Sequence, residues 1–336
     1  MMDPRDPAGV AAAEEASLFG LAAVAPDATA AYGEHPDQVV DFHLPPEGAA
    51  GGPAPLVLLF HGGAWRAACD RRHLSPFAAH LAIHGLAVAL PEYRRGGVAP
   101  GRRGGPGASG SCDGGTPGAA RRAGRGVEPG GEAHPEHPAG AQHLAGRWPE
   151  TFDDIAAVVD AVPRLVRENA LPGVDAERPV LAGHSAGGHA ALWAAARHRL
   201  PPGAPWRLSA PPRVRGVVAL APIADLTTAR ALHVCSDAVD QLLGTGDEGA
   251  ARLPFADPAA LLPTGVRTTL VRGGTDVDVP PQVVDSFVAA ATAARQPPRV
   301  VRIAGAGHFP LIDPTAPAAR TAVDEIARLA ADGPDA

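Results

Sequence analysis

The sequence predicts an α/β protein: a mostly parallel central sheet with helices on both faces, a small cap region and a disordered Gly/Pro-rich insertion. Three observations predict it. Short apolar runs of strand length alternate with segments of helical period. A Gly-x-Ser-x-Gly turn stands directly between one such run and a helix. The glycines and prolines are crowded into one stretch instead of being spread along the chain.

The elements follow in order. Residues 1–30 read as an N-terminal extension, partly flexible, and residues 31–336 as one domain. Residues 39–44 alternate apolar and polar side chains, the pattern of a half-exposed strand. Residues 55–60 are a continuous apolar run bounded by Pro and Gly, as a strand buried on both faces requires. Ser75 is placed to cap a helix over 75–84, with Pro76 in the first turn, where its missing N–H costs nothing. Residues 85–90 make another buried strand. Residues 149–169 form a long amphipathic helix, because Phe152, Ile155, Val159, Val162 and Val166 recur at three- and four-residue steps, with Pro163 as a point of bending. A strand at 179–182 leads into a helix at 187–197. Strands follow at 214–220, 268–272 and 300–303, and helices at 283–295 and 318–331. Segment 225–263, between two late strands, is the place for a cap and substrate pocket, with Leu232, Val239, Leu242 and Leu243 as apolar lining.

Residues 96–146 hold 16 Gly and 6 Pro, and Val98, Val127 and Leu144 are their sizeable aliphatics. Such a segment buries too little apolar area to offset its ordering entropy, so a disordered low-complexity insertion is expected there.

Composition removes several classes of function. The net charge is -7 and all 29 basic residues are Arg. Without lysine there is no Schiff-base chemistry and no lysine-bearing phosphate loop. The acidic balance argues against a nucleic-acid partner. No run of 18 apolar residues occurs, and the N-terminus lacks a basic stretch followed by an apolar one, so neither a membrane span nor a secretory signal is expected. Cys69, Cys112 and Cys235 are odd in number and irregularly spaced, which fits reduced thiols in a cytoplasmic protein. No cofactor or metal is expected. His80 and His84 are four apart but no Glu follows His80, and His134 and His137 fall in the insertion.

The chemistry lies in three places. Gly183-His184-Ser185-Ala186-Gly187 sits between a strand and a helix, so Ser185 is the candidate nucleophile on a strained turn. Gly183 and Gly187 leave room where side chains would clash. His61-Gly62-Gly63-Ala64-Trp65 follows the strand at 55–60, where glycines let amides approach a developing oxyanion. The amides of Gly63, Ala64 and Ala186 are the candidate donors. A serine needs a base, and the base an orienting carboxylate. His308 follows the last strand, and Asp276 follows the strand before it, with Asp278 as the lesser alternative. His184, His189 and His233 are given no role.

Together the HGGAW string at 61–65, PEYRR at 91–95, WPETFDD at 148–154, GHSAGGH at 183–189 and DVDVP from Asp276 resemble α/β-hydrolases. The likeness is greatest to the branch holding kynurenine formamidase and the feruloyl-esterase/deacetylase-like hydrolases. It covers about residues 31–330 outside the insertion. The resemblance implies an α/β-hydrolase fold, Ser185, Asp276 and His308 as a catalytic triad, and Gly63 and Ala64 in the oxyanion hole. Ala64 departs from the aromatic residue that such proteins often carry there. The expected function is a serine hydrolase of small carboxylic esters acting through an acyl-enzyme. An arylformamidase is the alternative, and a non-catalytic binding protein of the same fold the second alternative. The expected partner is a small-molecule ester or formamide.

Overall fold

Strands that are apolar on both faces need a covering layer on each side, and the chain supplies both. The computed structural model describes residues 6–46, 52–96, 144–169, 171 and 173–331. The chain runs α1 (Pro7–Phe19), β1 (Ala28–Ala31), β2 (Val39–His43), β3 (Ala54–Phe60), α2 (Ser75–Ile83), β4 (Ala87–Pro91) and α3 (Glu150–Glu168). It continues through β5 (Val174–His184), α4 (Ala186–Ala196) and β6 (Gly216–Leu220) to three shorter helices, α5 (Leu226–Ala231), α6 (Val234–Leu243) and α7 (Gly246–Ala256). It ends with β7 (Thr268–Gly273), α8 (Pro281–Ala293), β8 (Arg299–Ile303) and α9 (Pro317–Ala331).

The strands form one eight-stranded sheet in the order β1-β2-β4-β3-β5-β6-β7-β8. The pairings β1–β2 and β2–β4 are antiparallel and the others parallel. Side chains alternate through the sheet. Leu56, Leu58 and Phe60 enter one core with Phe152 and Ile155 of α3, Trp193 of α4 and Phe287 of α8. Val57 and Leu59 enter the other with Leu18 of α1, Phe77 and Leu81 of α2, and Ile326 and Leu329 of α9. The chain leaves β3 for β4 on one side and returns to β5 on the other, which makes a topological switch point at their carboxyl ends.

Several expectations are corrected. β2 is buried, not half-exposed: its polar Asp41 is covered, with Arg71 Nε at 2.6 Å and Thr29 Oγ1 at 2.6 Å. Ser75 does not cap α2; its hydroxyl donates to Arg72 O at 2.7 Å, in a 3-10 turn that leads into the helix. α3, by contrast, has its expected extent, Glu150–Glu168, with Pro163 inside it. β5 begins at Val174, five residues earlier than its apolar run, because Ala54–Val174 pairing extends it past a bulge.

Helix α1 packs on the sheet's second face. Asp6 caps it by accepting from Ala8 N at 3.2 Å, and Ser17 Oγ donates to Asp313 Oδ2 at 2.6 Å. Val239, Leu242 and Leu243 are buried in the first core, while Leu232 is exposed. Cys235 keeps its thiol, but Cys69 is disulfide-bonded, so the expectation of reduced thiols is corrected at Cys69. Most of the 96–146 insertion, residues 97–143, also lies outside them. Among the described residues no helix is long and apolar enough to cross a membrane.

Candidate active site

Every candidate group stands just beyond the carboxyl end of a parallel strand. β5 ends at His184, and Ser185 turns sharply into α4 with φ 56° and ψ -118°. A non-glycine residue held there stores roughly 1–3 kcal/mol of strain, and such residues cluster at functional sites. The flanking glycines are required. A Cβ at Gly183 would lie 2.1 Å from Gly187 O, and one at Gly187 would lie 2.1 Å from Phe60 O. The turn thus packs backbone against backbone, and the N-terminus of α4 lies at the serine, with its partial positive charge.

The strip after β3 lies beside this turn. A Cβ on Gly62 would be 3.3 Å from Ser185 Cβ. Gly63, Ala64 and Trp65 all have positive φ, at 102°, 49° and 56°. No described backbone carbonyl accepts from the amides of Gly63, Ala64 or Ala186. Two strained residues in a row after a glycine, with amides that no described backbone carbonyl engages next to the serine, make a surface suited to a negative oxygen.

A buried network holds this strip from behind. His61 Nε2 pairs with Glu92 Oε1 at 2.8 Å, and Tyr93 Oη donates to His61 O at 2.8 Å while its ring stacks on the imidazole. Arg71 N donates to Glu92 Oε2 at 3.0 Å, and Arg95 also pairs with Glu92. Burial pushes the Glu92 carboxyl up; the His61 charge and hydrogen bond, Arg95 and the Arg71 amide outweigh it and hold it down at about 2. Nothing in the sequence marked Glu92 beyond its place in the PEYRR string.

Asp276 and His308 meet. His308 Nδ1 bonds Asp276 Oδ2 at 2.8 Å, and both side chains are buried. Asp276 Oδ1 accepts from the amides of Asp278 at 3.0 Å and Val279 at 2.9 Å, which fixes the carboxylate. Asp278 instead serves the turn through its backbone. His184, given no role from sequence, docks the His308 loop: its Nε2 donates to His308 O at 3.1 Å and the two rings lie 4.4 Å apart. Burial, then the neighbouring His308, holds the His184 imidazole well below the ordinary histidine range. This contact ties the His308 loop to the residue preceding Ser185.

Among the described residues, Asp276, Asp278 and His308 bring ligand-type atoms within 4.8 Å of one another. His308 Nδ1 and Asp276 Oδ2 are engaged with each other, and Asp276 Oδ1 accepts two amides. That donor set is built for a carboxylate–imidazole pair.

The architecture is the α/β-hydrolase fold. Among solved structures, a truncated carbohydrate esterase from gut microbiota is similar at 16% identity and TM-score 0.62, covering 93% of this chain and 100% of that one. An inhibited form of esterase B from Lactobacillus rhamnosis is similar at 17% identity and TM-score 0.64, covering 96% and 92%. A thermophilic esterase from the planctomycete Thermogutta terrifontis, with propionate bound, is similar at 18% identity and TM-score 0.54, covering 90% and 92%. No protein-family model matches the chain, and no curated protein matches it in sequence. At such identities the likeness carries the fold.

Proposed function

We propose that this chain is a serine hydrolase that cleaves carboxylic esters of small substrates. The observation that carries the reading is the buried Asp276–His308 hydrogen bond, docked through His184 against the strained Ser185 turn. Since Nδ1 of His308 is bonded to Asp276, Nε2 is the nitrogen left to serve Ser185. Ser185 Oγ attacks the ester carbonyl carbon, and His308 Nε2 takes the hydroxyl proton. The amides of Gly63, Ala64 and Ala186 stabilise the oxyanion. The alcohol leaves with the proton from His308, and the acyl group stays on Ser185. Water, deprotonated by His308, then cleaves the acyl-enzyme and restores the hydroxyl. Residues 31–336 are taken as one catalytic domain, with 225–263 as its cap, in a cytoplasmic protein.

Esters are favoured over formamides because the similar structures include three described as esterases. The test is a panel of short-chain aryl esters, acetylated sugars and N-formylkynurenine, with Ser185→Ala as blank. Ester turnover that falls more than about a thousandfold in the blank is expected. Turnover confined to N-formylkynurenine would move the assignment to an arylformamidase. A folded protein whose Ser185 does not label with a fluorophosphonate would overturn both.

A further inference from the structure

The His308 loop has a second carboxylate behind it, and it comes from the other end of the chain. Glu14, on α1, is separated from Gly307 by 293 positions, yet its Oε1 accepts from Gly307 N–H at 3.0 Å. Its Oε2 is buried and accepts no hydrogen bond among the described residues. A Cβ at position 307 would lie 1.9 Å from that oxygen, so glycine is needed there to admit the carboxylate. The helix carrying Glu14 is fastened on both sides of it, by the Asp6 cap and by Leu18 and the Ser17–Asp313 bond. The carboxylate is therefore held in place against the loop.

Its charge is within electrostatic reach of the pair. Burial, opposed by the Gly307 amide, holds the Glu14 carboxyl above its ordinary value; Asp276 pushes it further up and His308 draws it down. Among the described residues, Asp276 at Nδ1, Asp278 and the His184 ring also face His308. His184, buried and held well below the usual histidine range, adds no positive charge at neutral pH.

We propose that Glu14 is a positioning residue: it fixes the loop of His308 through Gly307 N–H, and its negative charge stabilises the imidazolium formed when His308 takes the Ser185 proton. This rests on reading Ser185, His308 and Asp276 as the catalytic triad. An anion behind an imidazole favours its protonated form, so loss of the anion moves the titration to lower pH.

The test follows the His308 imidazole by NMR across pH in the wild type and in Glu14→Gln and Glu14→Ala, beside fluorophosphonate labelling of Ser185 and p-nitrophenyl acetate turnover. In both variants the His308 midpoint is expected to fall by roughly half a pH unit, less than a directly bonded carboxylate gives. Glutamine keeps an acceptor for Gly307 N–H but not the charge, so Glu14→Gln lowers kcat only about threefold, the equivalent of that half unit. Glu14→Ala loses the acceptor too and lowers kcat about tenfold with little change in KM. A His308 midpoint identical to wild type in the folded variants overturns the proposal whatever the rates do, because a merely structural side chain would leave the titration in place. Failure of wild-type Ser185 to label would overturn the hydrolase reading instead, and the titration would still decide the role of Glu14.

Discussion

Asp276 and Asp278 stand two positions apart on one loop and are chemically the same. Sequence alone ranks them only by a motif. Geometry separates them, because Asp276 Oδ2 reaches His308 Nδ1 while its Oδ1 is anchored by two amides. Asparagine at 276 can keep an oxygen for those amides but offers His308 no charge, and it can favour the wrong imidazole tautomer. Asp276→Asn is therefore expected to lower kcat about ten-thousandfold with the fold intact. Asp278→Asn is expected to cost less than about tenfold. Steady-state kinetics on the best ester of the panel decides it, and the reverse ranking would reassign the orienting carboxylate. Ser185 and His308 were legible because their backbone demands place glycines around them. Glu14 was not: its partner is at the far end of the chain, and α1 carries no local mark of the contact. His184 was set aside as one of 14 histidines, although its neighbour was the candidate nucleophile.

At the scale of elements, the strip after β3 is a strained segment held from behind by an ionised carboxylate. Glu92 is charged in the folded protein down to about pH 2, against an ordinary value of 4.5. A depressed pKa means that its contribution is complete above the unfolded value and fades as pH falls through the folded one. Glu92→Gln leaves Arg95, Arg71 and His61 facing a neutral amide. It is expected to cost roughly 3 kcal/mol of stability at neutral pH, the scale of breaking a buried ion pair. That gap should shrink between about pH 4.5 and 2. Urea unfolding of both proteins at neutral pH and near pH 3 measures it, and an equal gap at both would mean that Glu92 is not the charged anchor. Strand and helix periods in this region were readable. The turn that opens α6 was not. Cys235, Ser236 and Asp237 take φ of 50°, 53° and 60° with no glycine to announce them, and Arg66 Nη2 holds Cys235 O at 2.5 Å. Tertiary contact, not local preference, sets that conformation.

At the scale of the whole molecule, the alternation of strands and helices made the parallel sheet legible. Short β1 and the sheet's antiparallel edge were not, since four residues carry too little pattern. The insertion raises a sharper question, because it leaves from the strand ends where the candidate site lies. Its two flanks converge. Gly96 N and Gly146 N both donate to Trp65 O, at 2.9 and 3.2 Å, so their nitrogens are within about 6 Å of each other. The fold thus closes this loop at the end of the strip after β3, and residues 97–143 span a gap that a few residues can cross. Their composition gives them little apolar surface to bury. Replacing them with about four Gly and Ser residues is expected to leave the fold intact and to raise stability by at most about 2 kcal/mol, the closure entropy of the longer loop. Ester turnover should stay within about threefold. Thermal melting and kinetics in reducing buffer, which keeps Cys69 a thiol in both proteins, give a like-for-like comparison. Loss of turnover beyond about tenfold in a folded, shortened chain would instead mean that the insertion supplies groups to the substrate site.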